Sequence, residues 1–367
     1  MQSEIVHDIE IAVPAVGDVP AVGAEEYDAH ETAVRVRGLR KVFQVKHKAP
    51  GLRGSLAALW QTQTQTVLAV EDVNFAMRKG EMLAFIGPNG AGKSTTIKML
   101  TGILYPSGGA ATVLGYTPWQ ERRQLAYHIG SVFGQKPQLW YHLPAEDTFQ
   151  LFARIYELDM VQFRRRRGFL VEAFQLHDLL NIPVRKLSLG QRMKCEIAAS
   201  LLHGPRIVFL DEPTIGLDVI AKQQIREAIR TLNQEEGTTI FLTSHDTGDM
   251  ESLCDRVVII NHGRVIFDAG MAELKRRYLR RKVIEVHFAD GDASLGDGVG
   301  SRAEATAFAM PGVSVLQQDA FGMRLAFDSY RVPVDSVLQA VIATRPCTDI
   351  TVTDPPLEEA IRRIYSE

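Results

Sequence analysis

Gly87 to Thr95 reads G-P-N-G-A-G-K-S-T, and this stretch decides the fold class. It follows a short apolar run, Met82 to Ile86, and opens onto a helix-compatible run, Thr95 to Leu104. Strand, glycine-rich loop and helix in that order make up a phosphate-binding P-loop. The glycines Gly87, Gly90 and Gly92 let the backbone curl so that successive N–H groups point inward at an anion. The helix behind the loop adds the positive end of its dipole. Lys93 can reach the β- and γ-phosphates of a nucleotide as a mobile charge, and the Ser94 hydroxyl can ligate Mg2+.

The 367 residues predict two to three domain-sized units, and a hydrophobic fraction of 46% is ample for a buried core. A net charge of −3 provides no polycationic surface, so nucleic acid is not expected as a partner. Cys195, Cys254 and Cys347 are far apart, form no metal-ligand spacing, and read as small buried hydrophobes in a reducing compartment. No apolar run reaches the roughly 18 residues that a membrane span needs. The expected protein is soluble or held at a membrane by a partner.

Residues 1–32 carry eight acidic residues and no Lys or Arg, which predicts a disordered acidic tail. Ala33 to Phe43 alternates Val34 and Val36 with Arg35 and Arg37, as a half-buried strand does. Phe43 closes this stretch; its ring can stack on a nucleobase or serve as a core or edge aromatic. Residues 47–66 look like an insertion, with Leu56, Leu59 and Trp60 offered to a membrane surface, a partner or solvent. Thr66 to Met77 reads as the next strand, and Glu146 to Leu180 as helical in pattern.

Ser188 stands at an N-cap position with Gln191 three residues on, the spacing of a capping box. Ile207 to Leu210 is a continuous apolar strand followed at once by Asp211 and Glu212. Such a run fits a parallel strand buried on both faces, with its carboxylates at the edge where ligands bind in open α/β sheets. A further strand ends in Thr243-Ser244-His245-Asp246, and Asn261-His262-Gly263 is a hairpin signal. A basic linker covers 271–282, with a helix expected at Lys275 to Lys282. Beyond it, residues 283–367 follow a β-α-β-β-α-β order with a helix candidate at Arg302 to Ala309 and a final helix at Pro355 to Tyr365.

Six pieces in this order resemble the ATP-binding cassette (ABC) nucleotide-binding domains across about residues 33–270. They are the P-loop, Gln135, L-S-L-G-Q-R from Leu187, V-F-L-D-E-P from Val208, G-L-D at Gly216 to Asp218, and T-S-H-D from Thr243. The resemblance implies an α/β P-loop NTPase cassette with a RecA-like core, an antiparallel β subdomain and an α-helical subdomain at about 140–203. A small ferredoxin-like C-terminal domain would follow at 283–367.

The implied reaction is hydrolysis of ATP to ADP and phosphate. The implied nucleotide contacts are Phe43 as the adenine-stacking aromatic and Gly87, Pro88, Asn89, Gly90, Ala91, Gly92, Lys93, Ser94 and Thr95 in the P-loop. Ser188, Gly190, Gln191 and Asp218 would contact nucleotide across a dimer. Ser94 and Gln135 would ligate Mg2+ directly and Asp211 through water. Glu212 would be the general base, with His245 sensing the γ-phosphate and Lys93 neutralising it. One departure stands out: Leu189 occupies the position of the first glycine of L-S-G-G-Q.

One P-loop and one signature per chain imply a second ATPase subunit, with a homodimer the economical pairing. The wording F-G-Q-K-P-Q-L-W and D-E-P-T-I-G-L-D-V resembles ATPases of ABC-2 type exporters. Those serve separately encoded permeases, in some systems two different ones, from the cytoplasmic face of the inner membrane. An importer ATPase or a soluble cluster-assembly ATPase is the alternative.

Overall fold

The computed structural model describes residues 31–47, 63–134, 136–279, 281–288, 308–319 and 321–366. The acidic tail up to residue 30, most of the 47–66 stretch, Gln135 and most of the 302–309 helix candidate lie outside them.

The larger sheet takes strands β1 (Thr32–His47), β2 (Gln63–Arg78), β3 (Met82–Ile86), β4 (Gly108–Val113), β5 (Ile129–Phe133), β6 (Ile207–Asp211), β7 (Thr239–Thr243), β8 (Arg256–Asn261) and β9 (Arg264–Gly270). Their spatial order is β4-β1-β2-β9-β8-β3-β7-β6-β5. The pairs β3–β7, β3–β8, β5–β6 and β6–β7 are parallel, while β1 pairs antiparallel with β2 and β4. A parallel core with an antiparallel flank is the expected RecA-like arrangement. Its strands read as unbroken apolar runs because helices cover both faces; every residue of β7 is buried.

Helices α1 (Lys93–Leu100), α2 (Arg122–Ala126), α3 (Ala145–Ile155), α4 (Met160–Ala173), α5 (Leu189–Leu201), α6 (Val219–Glu236), α7 (Thr247–Leu253) and α8 (Met271–Tyr278) accompany this sheet. The stretch expected to be helical from Glu146 to Leu180 holds two helices with a break at 156–159, and from Phe174 to Leu180 it runs in turns. Asp159 caps the second by accepting from the backbone N–H groups of Val161 and Gln162. The expected β8–β9 hairpin is present. Its two loop residues His262 and Gly263 both have positive φ, +47° and +76°, as a type I′ turn requires.

Three segments depart from the sequence expectation. β2 begins at Gln63, so Gln63 to Thr66 pair with Gln44 to His47 as strand rather than insertion. Alternating Gln and Thr suits an exposed ladder in which the backbone supplies the bonding. The 271–282 stretch is helix only to Tyr278; Arg281 already belongs to β10 (Arg281–Phe288). The final helix α10 (Leu357–Ser366) buries Leu357, Ala360 and Ile364 in the core of the large sheet's layers, together with Met250, Leu253, Met271 and Leu274.

The second sheet has order β11-β12-β10-β13, with β11 (Val313–Gln318), β12 (Gly322–Asp328) and β13 (Cys347–Thr353), and every adjacent pair is antiparallel. Helix α9 (Val334–Thr344) packs Val337 and Val341 on it, against Ile284, Val286, Leu325 and Phe327. Of the three cysteines, Cys195 and Cys254 are buried, with thiols pushed up by burial, that of Cys195 to about 12; Cys347 is half-buried.

Candidate active site

β3, β7 and β6 are neighbours, so the three loops leaving their C-terminal ends meet. The first is the P-loop. It wraps so closely that a Cβ on Gly87 would fall 2.3 Å from the Ile260 carbonyl, and one on Gly92 would fall 2.7 Å from that of Ala69. Gly92 caps α1 at a φ of +108°, and Thr96 N–H donates to its carbonyl at 2.9 Å. Lys93, buried, donates from Nζ to the carbonyls of Gly87 at 2.6 Å and Pro88 at 3.2 Å. Burial lowers the Lys93 pKa, and the carboxylates of Glu212 and Asp211 pull it part of the way back.

The second loop carries the carboxylates. Asp211 Oδ1 accepts from the Ser94 hydroxyl at 3.3 Å and from Thr243 Oγ1 at 2.7 Å. Glu212 holds a φ of +54°, in the left-handed region, and its N–H donates to Thr243. The third loop brings His245, whose Nε2 lies 2.8 Å from Glu212 Oε1 and 3.3 Å from Lys93 Nζ. Ammonium, imidazole and carboxylate thus form one contact chain at the mouth of the loop.

Lys93, Ser94, Asp211 and Glu212 wall a cavity of about 640 Å3, with Asn89, Gly90, Thr95 and Gly134 around it, and His245 touches its Lys93 and Glu212 from a neighbouring cleft. Val67, Leu68, Lys98 and Lys136 also line it, and sequence reasoning had not selected them. Their signal was weak: Val67 and Leu68 follow the polar Gln-Thr repeat, and only strand pairing carries them to the P-loop. Phe43 is not in the wall. It pairs with Val67 from the next strand and lies half-buried, with the Lys41 ammonium 5.1 Å from its ring centroid.

Ser188, Gly190 and Gln191 are also absent from the cavity wall. Ser188 and Gln191 form the capping box that the sequence suggests, with Ser188 Oγ accepting from Gln191 N–H at 3.2 Å and Gln191 Oε1 accepting from Ser188 N–H at 2.9 Å. Gly190 permits close contact with α6, where a Cβ would meet that of Ala221 at 2.7 Å. Asp218 caps α6 through the Ala221 N–H at 2.8 Å. The loop that follows Gln135 is anchored by buried Glu196 of α5, which accepts from Gln138 N–H at 2.8 Å and Leu139 N–H at 3.4 Å. Burial raises the Glu196 pKa, and those two backbone donors oppose the rise.

The donors fit the groups that the loop implies. A hydroxyl and a carboxylate suit a hard cation such as Mg2+, and the ring of N–H groups with Lys93 suits a polyphosphate. Fold and site together define a P-loop nucleoside-triphosphate hydrolase.

A family model described as ABC transporter matches residues 70–215. The ABC transporter ATP-binding protein NatA of Bacillus subtilis is 35% identical over 215 residues, 59% of this chain and 87% of its own length. The Nod factor export ATP-binding protein I of Ralstonia nicotianae is 35% identical over 223 residues, 61% and 68% of the two chains. Among solved structures, an ATP-binding subunit of an ABC transporter superposes with a TM-score of 0.55 at 27% identity, over 67% of this chain and 93% of that one. A dimeric cassette, MJ0796, in a post-hydrolysis state with ADP and Pi shares the fold, with a TM-score of 0.54 at 23% identity over 65% and 98%. The chain belongs to the ABC transporter family: it is an ATP-binding subunit and an ATPase.

Proposed function

We propose that this chain is the motor subunit of an exporter of the ABC-2 type, acting as a dimer beneath separate permeases at the cytoplasmic face of the inner membrane. The observation that carries the dimer is the separation of two half-sites. Lys93, Ser94, Asp211 and Glu212 line one cavity and His245 contacts two of them, while Ser188, Gly190 and Gln191 neither line that cavity nor bond any of these five. Apolar Leu189, Val219 and Ile220 near those residues are exposed, Val219 to 80%. A second subunit would cover this patch and bring its signature to the P-loop.

In this reading the P-loop N–H groups and Lys93 hold and neutralise the terminal phosphates. Mg2+, held by Ser94, Gln135 and Asp211, would supply further charge neutralisation. Glu212 takes the proton of the attacking water, a role worth about 10²–10⁴ in rate. His245 registers loss of the phosphate, a role supported by its contacts with both Glu212 and Lys93.

No helix among the described residues is long and apolar enough to cross a membrane, and in this reading separate permeases form the path across it. The exposed Trp140, Tyr141 and Leu143, just past the Glu196-anchored loop, offer a permease-docking face. The export direction is supported by the Nod factor relative, which is an export protein by name. Affinity purification of the chain from detergent-solubilised membranes tests the proposal. Co-eluting ABC-2 type permeases are expected; recovery only in a cytosolic complex would overturn it.

A further inference from the structure

Asp249 lies four residues past His245 and is wholly inaccessible to solvent. Each of its carboxylate oxygens has an assigned task. Oδ1 accepts from Arg226 of α6 at 2.7 Å from Nε and 2.6 Å from NH2. Oδ2 accepts from Ser244 Oγ at 2.7 Å and, at shorter range still, from Thr214 Oγ1. Thr214 is two residues past Glu212, and Ser244 immediately precedes His245. A single carboxylate therefore ties together the two loops that carry the 2.8 Å Glu212–His245 pair. Arg226 also reaches Asp246 at 3.2 Å, and a Cβ on Gly248 would fall 3.1 Å from its guanidinium, so the cluster has no slack.

We propose that Asp249 is a positioning residue for ATP hydrolysis, setting the spacing of Glu212 and His245 by holding Thr214 and Ser244 on one carboxylate oxygen while Arg226 holds the other. The assignment rests on Glu212 and His245 as the hydrolytic pair. Asp249 does not line the P-loop cavity, so its removal should leave nucleotide binding intact and act on the chemical step.

The test is steady-state ATP hydrolysis by the full chain carrying Thr214→Val, Ser244→Ala, both together, or Asp249→Asn, with Glu212→Gln as the reference. Each hydroxyl deletion keeps the Asp249–Arg226 pair, so folding is preserved, and thermal melting verifies it. Each is expected to lower kcat about three- to tenfold with KM for ATP within about twofold, since small misplacements of reacting groups cost rate rather than binding. The double variant should lose no more than Asp249→Asn, because the two hydroxyls act through the same oxygen. If both single variants keep kcat within about twofold while Glu212→Gln is inactive, the positioning role is overturned. Undiminished turnover by Glu212→Gln would instead overturn the assignment of the hydrolytic pair.

Discussion

His245 Nε2 lies 2.8 Å from Glu212 Oε1, and Glu212 makes that contact from a backbone φ of +54°. A left-handed φ costs a side-chain-bearing residue about 1–2 kcal/mol, whereas glycine in its place would add an entropic cost of about 0.5–1 kcal/mol. Glu212→Gly is therefore expected to melt higher, by about 0.5–1 kcal/mol, and to lose turnover. Glu212→Gln should keep ATP affinity and lose about 10²–10⁴ in rate. A lower melting midpoint for the glycine variant would remove strain from the account of this site.

Composite sites make a prediction about mixtures. Lys93→Ala and Ser188→Arg chains, each inactive alone, should regain partial ATPase activity when mixed, because one of the two interfaces would pair an intact P-loop with an intact signature. Titrating one variant into the other and following phosphate release measures this. A flat response at every ratio would argue against sites shared between subunits.

His203 stacks on Tyr156 at 4.0 Å, donates from Nε2 to the Ile129 carbonyl at 2.9 Å, and leaves Nδ1 with no partner among the described residues. Burial depresses its pKa to about 4. The folded imidazole is thus neutral, while the unfolded one takes a proton below about 6.5. Stability is fully present above the unfolded value and falls as pH drops toward the folded one. Between pH 7 and pH 5 the loss from this group should be about 2 kcal/mol, read from urea midpoints. His203→Phe should flatten that slope; an unchanged slope would assign the pH dependence elsewhere.

Arg256 pairs with Asp268 through Nε at 2.7 Å and NH2 at 2.8 Å, and also donates to the Ala76 carbonyl and to Glu81. Burial raises the Asp268 pKa and Arg256 counters the rise. Arg256→Leu strands a buried carboxylate and is expected to cost about 3–5 kcal/mol in chemical denaturation, whereas Arg256→Leu with Asp268→Leu should cost clearly less. Equal losses would mean that the pair contributes only packing.

Leu357, Ala360 and Ile364 lie in the main core, and Thr247, next to the His245 loop, bonds Glu358. Leu357→Ala and Ile364→Ala should each cost about 2–4 kcal/mol of cassette stability. Ending the chain at Thr353 should lower the melting temperature of the P-loop region itself. A truncated chain that melts like the parent would make α10 a passive tail.

Much of the active site could be read in one dimension. A P-loop is contiguous because its work is done by consecutive N–H groups and one helix terminus. Asp211 and Glu212 were visible because a parallel strand buried on both faces is an unbroken apolar run, and its end is marked by charge. The capping box at Ser188 and Gln191 was equally local. Phe43 was harder to place. Its position in the chain suits an adenine-stacking aromatic, and only the strand pairing shows that it lies directly across from Val67, which lines the cavity, without lining the cavity itself.

By itself the sequence determined what neighbouring residues settle among themselves: the phosphate cradle, the strand ends that carry its carboxylates, the helix caps and the β8–β9 turn. Tertiary structure alone decided which distant groups share a boundary. Asp249 bonds Thr214 across 35 residues, and Glu358 meets Thr247 across 111. Such contacts leave no periodic trace, because the spacing between partners follows the path of the chain through the sheet order. The strand alternation is satisfied equally well whether or not the final helix returns to the cassette. What brings it back is the apolar surface of Met250, Leu253, Met271 and Leu274, and that surface exists only once the strands have assembled.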